Sequence, residues 1–247
     1  MKNNSPKDFV FGARAIIETI QSGKELDKLL VQKNLSNPLI KELIKAARDF
    51  RVPIVQVPVE KLNRVTRKNH QGAIAFISAI QYASLDHVIH EAYHSGKEPL
   101  LLMLDRVTDV RNFGAIARSA EGAGVDAIIV PFRGGAAINS DAMKTSAGAL
   151  NYMPICREDH LGSTIQYLKD SGIQVIACTE KTDQLIYELN LTVPVCIILG
   201  SEEDGISAEY LKLCDHRGKI PMKGHIGSLN VSVSSALAIY EAVRQRG

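Results

Sequence analysis

Three short segments carry polar side chains in settings that packing alone does not explain. In "DRVTDVRNFGAIARSAEGAG", Asp105 to Gly124, a loop after the apolar strand "LLMLD" delivers Asn112, and Arg118 follows on the next helix. In "ILGSEEDGIS", Ile198 to Ser207, a buried strand runs into Gly200, then Glu202, Glu203 and Asp204, then Gly205 before a helix. In "KIPMKGHIGSLNVS", Lys219 to Ser232, two glycines and the run Ser228, Leu229, Asn230 join a strand to the final helix. Ligands of α/β sheets bind just beyond the carboxyl ends of strands, and glycine there lets a ligand approach the backbone. Three consecutive acids are a poor cradle for phosphate, so the second segment suits a neutral or cationic ligand. Each segment also has a plain structural alternative: Asn112 as a helix N-cap and Arg118 as a solvated side chain, the three acids as partners of a helix dipole, Ser228 or Asn230 as the N-cap of the last helix.

The elements that must position these residues are legible from apolar periodicity. From Leu100 onward, "LLMLD", "DAIIV", "QVIACT" and "VCIILG" are bounded apolar runs of the kind buried in parallel sheets. Helices are expected at Gly114 to Gly122, Asp141 to Leu150, His160 to Asp170, Ala208 to Leu213 and Val231 to Gln245. Upstream, "ARAIIETIQSG" and a segment beginning near Pro38 read as amphipathic helices, and "LDKLLVQ", "PIVQVP" and "HQGAIAFIS" as strands. The expected organisation is a small α/β domain over residues 1–78, a linker or boundary helix over 79–98, and an α/β domain over 99–247.

Composition narrows the function classes. No apolar run approaches the ~20 residues of a membrane span, and "MKNNSPKDFV" has no signal-peptide core, so a cytoplasmic location is expected. Cys156, Cys178, Cys196 and Cys214 are widely spaced, with neither a CxxC pair nor a neighbouring histidine pattern, and read as reduced thiols. No P-loop, HExxH or GxSxG occurs, and no metal is expected. The dinucleotide-binding pattern also fails: "RVTDVRNFGA" after the first strand has a single glycine, and "DAIIVPFR" ends without a carboxylate. The net charge of +2 conceals an asymmetry, since residues 1–78 hold 14 Lys and Arg against 7 Asp and Glu, and the remainder 15 against 20. A basic module beside an acidic one suits RNA binding coupled to catalysis, because cationic side chains release phosphate counterions.

Together, the order and spacing of "NFGAIARSAEGAGVDAIIV", "IILGSEEDGIS" and "IPMKGHIGSLNVSVSSALAIYEAVRQR" resemble the three motifs of the SpoU branch of the SPOUT superfamily, RNA ribose 2′-O-methyltransferases. "FVFGARAIIETI" through "HQGAIAFI" resembles the substrate-binding domain, similar to ribosomal protein L30e, that precedes the catalytic domain in bacterial enzymes acting on guanosine of large-subunit ribosomal RNA. One departure is Glu203, which stands where the family form usually has glycine.

The resemblance implies a C-terminal parallel sheet with a deep trefoil knot. It implies a pocket for S-adenosylmethionine made by Thr179, Leu199, Gly200, Ile220, Met222, Ser228 and Leu229. Arg118 matches the catalytic arginine, a permanently charged group suited to orienting the hydroxyl and stabilising a developing oxyanion. Asn112, Glu202, Ser228 and Asn230 match residues that shape the catalytic site. A homodimer is implied, with the arginine of one subunit near the cofactor of the other. The expected reaction is methylation of a guanosine 2′-hydroxyl in 23S ribosomal RNA; the alternatives are the same chemistry on transfer RNA and a non-catalytic RNA-binding or assembly protein.

Overall fold

The structure, a computed structural model, describes residues 9–247; the first eight residues of the segment read for a signal peptide lie outside the described residues. It comprises two units, one of residues up to Gln81 joined by Ala137–Ser140, the other of Tyr82–Ala136 and Asp141–Gly247.

The first unit runs β1 (Phe9–Phe11), α1 (Ala13–Gln21), β2 (Leu26–Gln32), α2 (Pro38–Asp49), β3 (Ile54–Val57), α3 (Val59–Val65) and β4 (Ala73–Ile77). Its sheet has the order β1-β4-β2-β3, with β2 and β3 parallel and the other pairs antiparallel. Leu29 and Val31 on one face of β2 meet Ile16, Ile17 and Ile20 of α1 and Ile40 and Leu43 of α2. On the other face Leu30 and Ile74 meet Leu62 of α3. Helix α2 starts where sequence chemistry puts it: Asn37 Oδ1 accepts from the Ile40 backbone N–H at 2.8 Å, and Pro38 occupies the first turn, where a missing N–H costs nothing.

The second unit is a sheet of six parallel strands in the order β10-β8-β9-β5-β6-β7: β5 (Leu100–Leu104), β6 (Ala127–Pro131), β7 (Ile155–Glu158), β8 (Gln174–Cys178), β9 (Val195–Leu199) and β10 (His216–Gly218). The central strands β5 and β9 are buried at every residue, which is why both read as unbroken apolar runs. One face packs on α4 (Leu85–His94), α7 (Leu161–Asp170) and α8 (Ala208–Leu213). Helices α5 (Val110–Gly122) and α9 (Val231–Arg246) pack together, and α9 lies against β9. A short α6 (Ser140–Thr145) precedes a 3-10 turn at Ala149–Asn151.

Four expectations need correction. Segment 79–98 is not a linker outside the cores, because Leu85 and Ile89 of α4 are buried in the core of the second unit. Helix α5 begins four residues before Gly114, because Asp109 Oδ1 caps it by accepting from the N–H groups of Arg111 (2.9 Å) and Asn112 (2.8 Å); Asn112 is therefore in the first helical turn, not on a loop. The helix expected over 141–150 stops at Thr145, and the chain turns through Gly148 at φ +90° before the 3-10 turn. Strands β1 and β7 and helix α3 go unpredicted, and the strand expected before Lys219 is the three-residue β10: each is short, and β7 and β10 are edge strands with mixed polar sequences, ICRE and HRG, that show no apolar run.

The far end of α9 is tied down by main-chain carbonyls. The Arg246 guanidinium donates to Leu191 O (2.9 Å), Val193 O (2.7 Å), Glu98 O (2.5 Å) and Pro99 O (3.2 Å), so one side chain joins α9 to the segments entering β5 and β9. Replacing Arg246 by alanine leaves partly buried carbonyls unmatched. The expected loss is about 2 kcal/mol of unfolding free energy, read from the urea midpoint; an unchanged midpoint would contradict this role.

Candidate active site

The segments that follow β8 and β9, together with residues 219–231, enclose a cleft of about 1100 Å³. Every residue expected to hold the cofactor lines it: Thr179, Leu199, Gly200, Ile220, Met222, Ser228 and Leu229. Apolar side chains (Leu185, Leu199, Ile220, Leu229) share its wall with the acids Glu180, Glu202, Glu203 and Asp204 and with Lys181, Lys219 and Lys223, so its charge is mixed with a small acidic excess. Among the described residues no group of three or more His, Cys, Asp or Glu is placed to hold a metal.

At this cleft three chain-distant side chains close a hydrogen-bonded ring. Asn112 Nδ2 donates to Glu202 Oε1 at 2.6 Å, and Asn230 Nδ2 donates to the same oxygen at 2.9 Å and to Asn112 Oδ1 at 3.1 Å. Asn230 also caps α9, its Oδ1 accepting from the Ser232 backbone N–H (2.9 Å) and hydroxyl (2.5 Å). Its amide orientation is thereby determined: the oxygen must face the N–H and the nitrogen the carboxylate. The N-cap reading of Asn230 therefore holds, and the same side chain joins Asn112 and Glu202 at the cleft. Ser228, also expected in the site, lines the cleft and is exposed outside the ring.

The ring rests on a more deeply buried anchor. Asp105, 2% exposed at the carboxyl end of β5, accepts from the Ser207 N–H (2.7 Å) and hydroxyl (2.6 Å) through one oxygen, and from Arg106 through both. Arg106 continues to Asp204 Oδ2 (3.1 Å) and Gly205 O (3.1 Å), while Lys181 Nζ reaches Asp204 O (3.4 Å). The Asp105 hydrogen bonds hold the Arg106 guanidinium above its already high pKa. Arg106 has φ +57°, a strained backbone for a side chain of its size that these bonds stabilise. The acidic segment accordingly folds into a tight turn, with Gly205 N–H donating to Ser201 O at 3.0 Å. Gly200 is required inside it, because a Cβ there would lie 2.0 Å from the carbonyl carbon of Gly205. Asp105 and Arg106 carry no role in the sequence reading; the signal available was their position directly after a buried strand.

Arg118 stands apart. It is exposed on α5, does not line the cleft, and makes no hydrogen bond or ion pair among the described residues. Six residues of helix turn it roughly 120° from Asn112, so one helix cannot aim both at the same point.

Comparison with known proteins agrees with this geometry. Residues 99–240 match the model of the SpoU rRNA Methylase family, and residues 9–83 match RNA 2′-O ribose methyltransferase substrate-binding domains. A Staphylococcus saprophyticus protein named for the TrmH family of tRNA/rRNA methyltransferases is 33% identical over 237 residues, covering 96% of this chain and 95% of that one. A Bacillus subtilis protein of the same family name is 32% identical over 239 residues, 97% and 96% of the two chains. Among solved structures, the SpoU methyltransferase AviRb of Streptomyces viridochromogenes in complex with AdoMet is similar at a TM-score of 0.61 and 26% identity, over 96% of this chain and 90% of that one.

Two measurements test the site. Asn230→Asp keeps a capping oxygen but sets a second carboxylate against Glu202, so one of the two carboxyls is pushed up in the folded state. The variant should be about 1 kcal/mol less stable than Asn230→Ser at pH 7, with the difference fading towards pH 4 as the pair takes up a proton; a pH-independent difference would contradict the ring. Cys178, at the cleft wall, is pushed by burial and the nearby Glu180 from 9.0 to about 12. It should resist iodoacetamide at pH 8 until the chain is unfolded. A folded-state pKa above the unfolded one stabilises at low pH, so its contribution should persist below about pH 9 and disappear as pH rises towards 12.

Proposed function

Because the chain belongs to the SpoU rRNA methylase family, we propose that it transfers a methyl group from S-adenosylmethionine to the ribose 2′-hydroxyl of a guanosine in 23S ribosomal RNA. The observation that carries this reading is the Asn112–Glu202–Asn230 ring at the mouth of a cleft lined by all seven residues expected to bind the cofactor. The cleft's chemistry fits that cofactor. Its apolar wall suits adenine, and the carboxylates of Glu180, Glu202, Glu203 and Asp204 suit a sulfonium cation. When bound, S-adenosylmethionine supplies an electrophilic methyl group.

This chain's residues supply position and charge. The ring presents polar groups at the edge of the cleft for orienting a ribose hydroxyl, whose pKa lies far above neutrality. Arg118, permanently charged, stabilises oxyanion character as the hydroxyl is deprotonated, with a substrate phosphate oxygen or water taking the proton. Its exposure away from its own cleft supports action at the cleft of a second subunit. Val233, Leu237 and Tyr240, exposed at 47%, 39% and 50% along one side of α9, offer an apolar face for such a homodimer. The reading includes the trefoil knot of the family, for which the parallel order β8-β9-β5 and the shared cleft of two inter-strand segments are the supporting features. It also includes an L30e-like first unit, supported by a four-stranded sheet packed on helices, and a cytoplasmic location as expected from the sequence.

Transfer RNA is the second reading, since the relatives are named for both RNA classes and an Aquifex aeolicus TrmH/SpoU tRNA modifying enzyme is structurally similar (TM-score 0.56, 28% identity, 64% of this chain and 84% of that one). The non-catalytic alternative is set aside by membership in a methylase family.

Labelled methyl groups should pass from S-adenosylmethionine to 23S ribosomal RNA and not to transfer RNA, at a ribose located by mapping the product. Transfer to transfer RNA alone would establish the second reading. Arg118→Ala should lower kcat by about 10²- to 10³-fold with cofactor Kd unchanged, and mixing it with a ring variant such as Asn112→Ala should restore part of the activity if the arginine serves the other subunit's cleft.

A further inference from the structure

Among the described residues, one end of a sheet face in the first unit is only partly covered, and the side chains there are not those of an ordinary solvated strand. Phe9 pairs with Phe76 across β1 and β4, and Phe76 pairs with Lys28 across β4 and β2, so the three form one row over three strands. The Phe9 ring lies 6.2 Å from Phe76 and 6.3 Å from Phe11, and Lys28 Nζ sits 5.2 Å from the centre of the Phe76 ring. All four side chains are half-buried, and Val55 on β3 is exposed at 38%. The neighbouring row, Ile74 and Leu30, is covered by Leu62 of α3, and Phe9, Phe11 and Phe76 pack against the edge of that cluster while staying only half-buried.

Cations predominate on the elements bordering this face, although α3 also carries Glu60 in its first turn. Lys28 has no carboxylate partner among the described residues, its contact being the ring. Arg64 at the end of α3, and Arg67 and Lys68 in the segment joining α3 to β4, are exposed and also lack ion pairs among the described residues. Aromatic rings beside unpaired cations suit one class of occupant: unpaired RNA bases stack on ring faces whatever their identity, while the phosphates that follow are neutralised alongside. A protein partner of neutral or basic character would gain nothing from these cations.

We propose that Phe9, Phe76 and Lys28 form a stacking platform for unpaired nucleotides of the substrate, with Arg64, Arg67 and Lys68 tracking the backbone. This rests on the reading of the protein as an RNA methyltransferase and adds which surface of the first unit meets RNA and which form of RNA it meets.

The chain contains no tryptophan, so Phe76→Trp in the full-length protein places a single indole on the platform. A single-stranded oligoribonucleotide should quench its fluorescence, and a blunt duplex of the same sequence should quench it much less. Lys28→Ala or Phe9→Leu in that background should weaken single-strand binding about 10-fold. Phe76→Leu, which keeps the packing on Ile74 and Leu62, should weaken binding similarly with the unfolding temperature unchanged. Quenching by duplex as strong as by single strand, or an indole shielded from acrylamide and indifferent to RNA, would overturn the platform; the latter would mean that protein covers the face. Methyl transfer measured on the same variants separates the two readings. Activity with no quenching removes only the platform, whereas absence of methyl transfer by the unmutated chain to any RNA removes the reading beneath it.

Discussion

The site depends on one constraint: a single carboxylate oxygen, Glu202 Oε1, must accept from two amides that reach it from opposite ends of the second unit's sequence. Asn112 lies 90 residues before it and Asn230 lies 28 after. Both amides are neutral, Asn112 half-buried and Asn230 exposed, so the ring adds only about 1 kcal/mol per bond to stability. Its value is geometric. It holds three inter-strand segments in one arrangement at the sheet's carboxyl edge, and it can do so only because the buried Asp105 already holds the acidic turn through Ser207 and Arg106. The hierarchy runs from a buried charge with satisfied partners, to a strained but tight turn, to an exposed ring at the cleft.

Much of this could be read from the residues, and what could not has identifiable causes. The strands "LLMLD" and "VCIILG" announce themselves because both of their faces are buried, and the seven residues that the family likeness picks out all line the cleft. The edge strands ICRE and HRG are invisible to the same test because half their surroundings are solvent. Asn112 was misplaced onto a loop because Asp109, an equally good cap three residues earlier, begins the helix first. The ring itself has no local signature, since hydrogen bonds between residues 28, 90 and 118 apart exist only after the sheet has assembled. Arg106 was passed over for a similar reason: nothing local tells a surface arginine from one that spans Asp105, Asp204 and Gly205.

The two units divide the electrostatic work. Residues 1–78 carry the positive excess, and the acidic residues of the second unit concentrate in part around the cleft, where Glu180, Glu202, Glu203 and Asp204 line one lip. A polyanion is therefore attracted to the first unit, whereas at the cleft it meets these carboxylates together with Lys181, Lys219 and Lys223.

Asn230 closes the account, because one amide serves as both the cap of α9 and a corner of the ring. The start of the helix and the shape of the site are therefore a single degree of freedom. Val233, Leu237 and Tyr240 lie exposed one to three turns further along the same rigid rod, which Arg246 pins at its far end. A contact that shifts or twists α9 along that face acts as a lever on the Asn230 side chain, so whatever seats itself there sets the site's geometry without touching it.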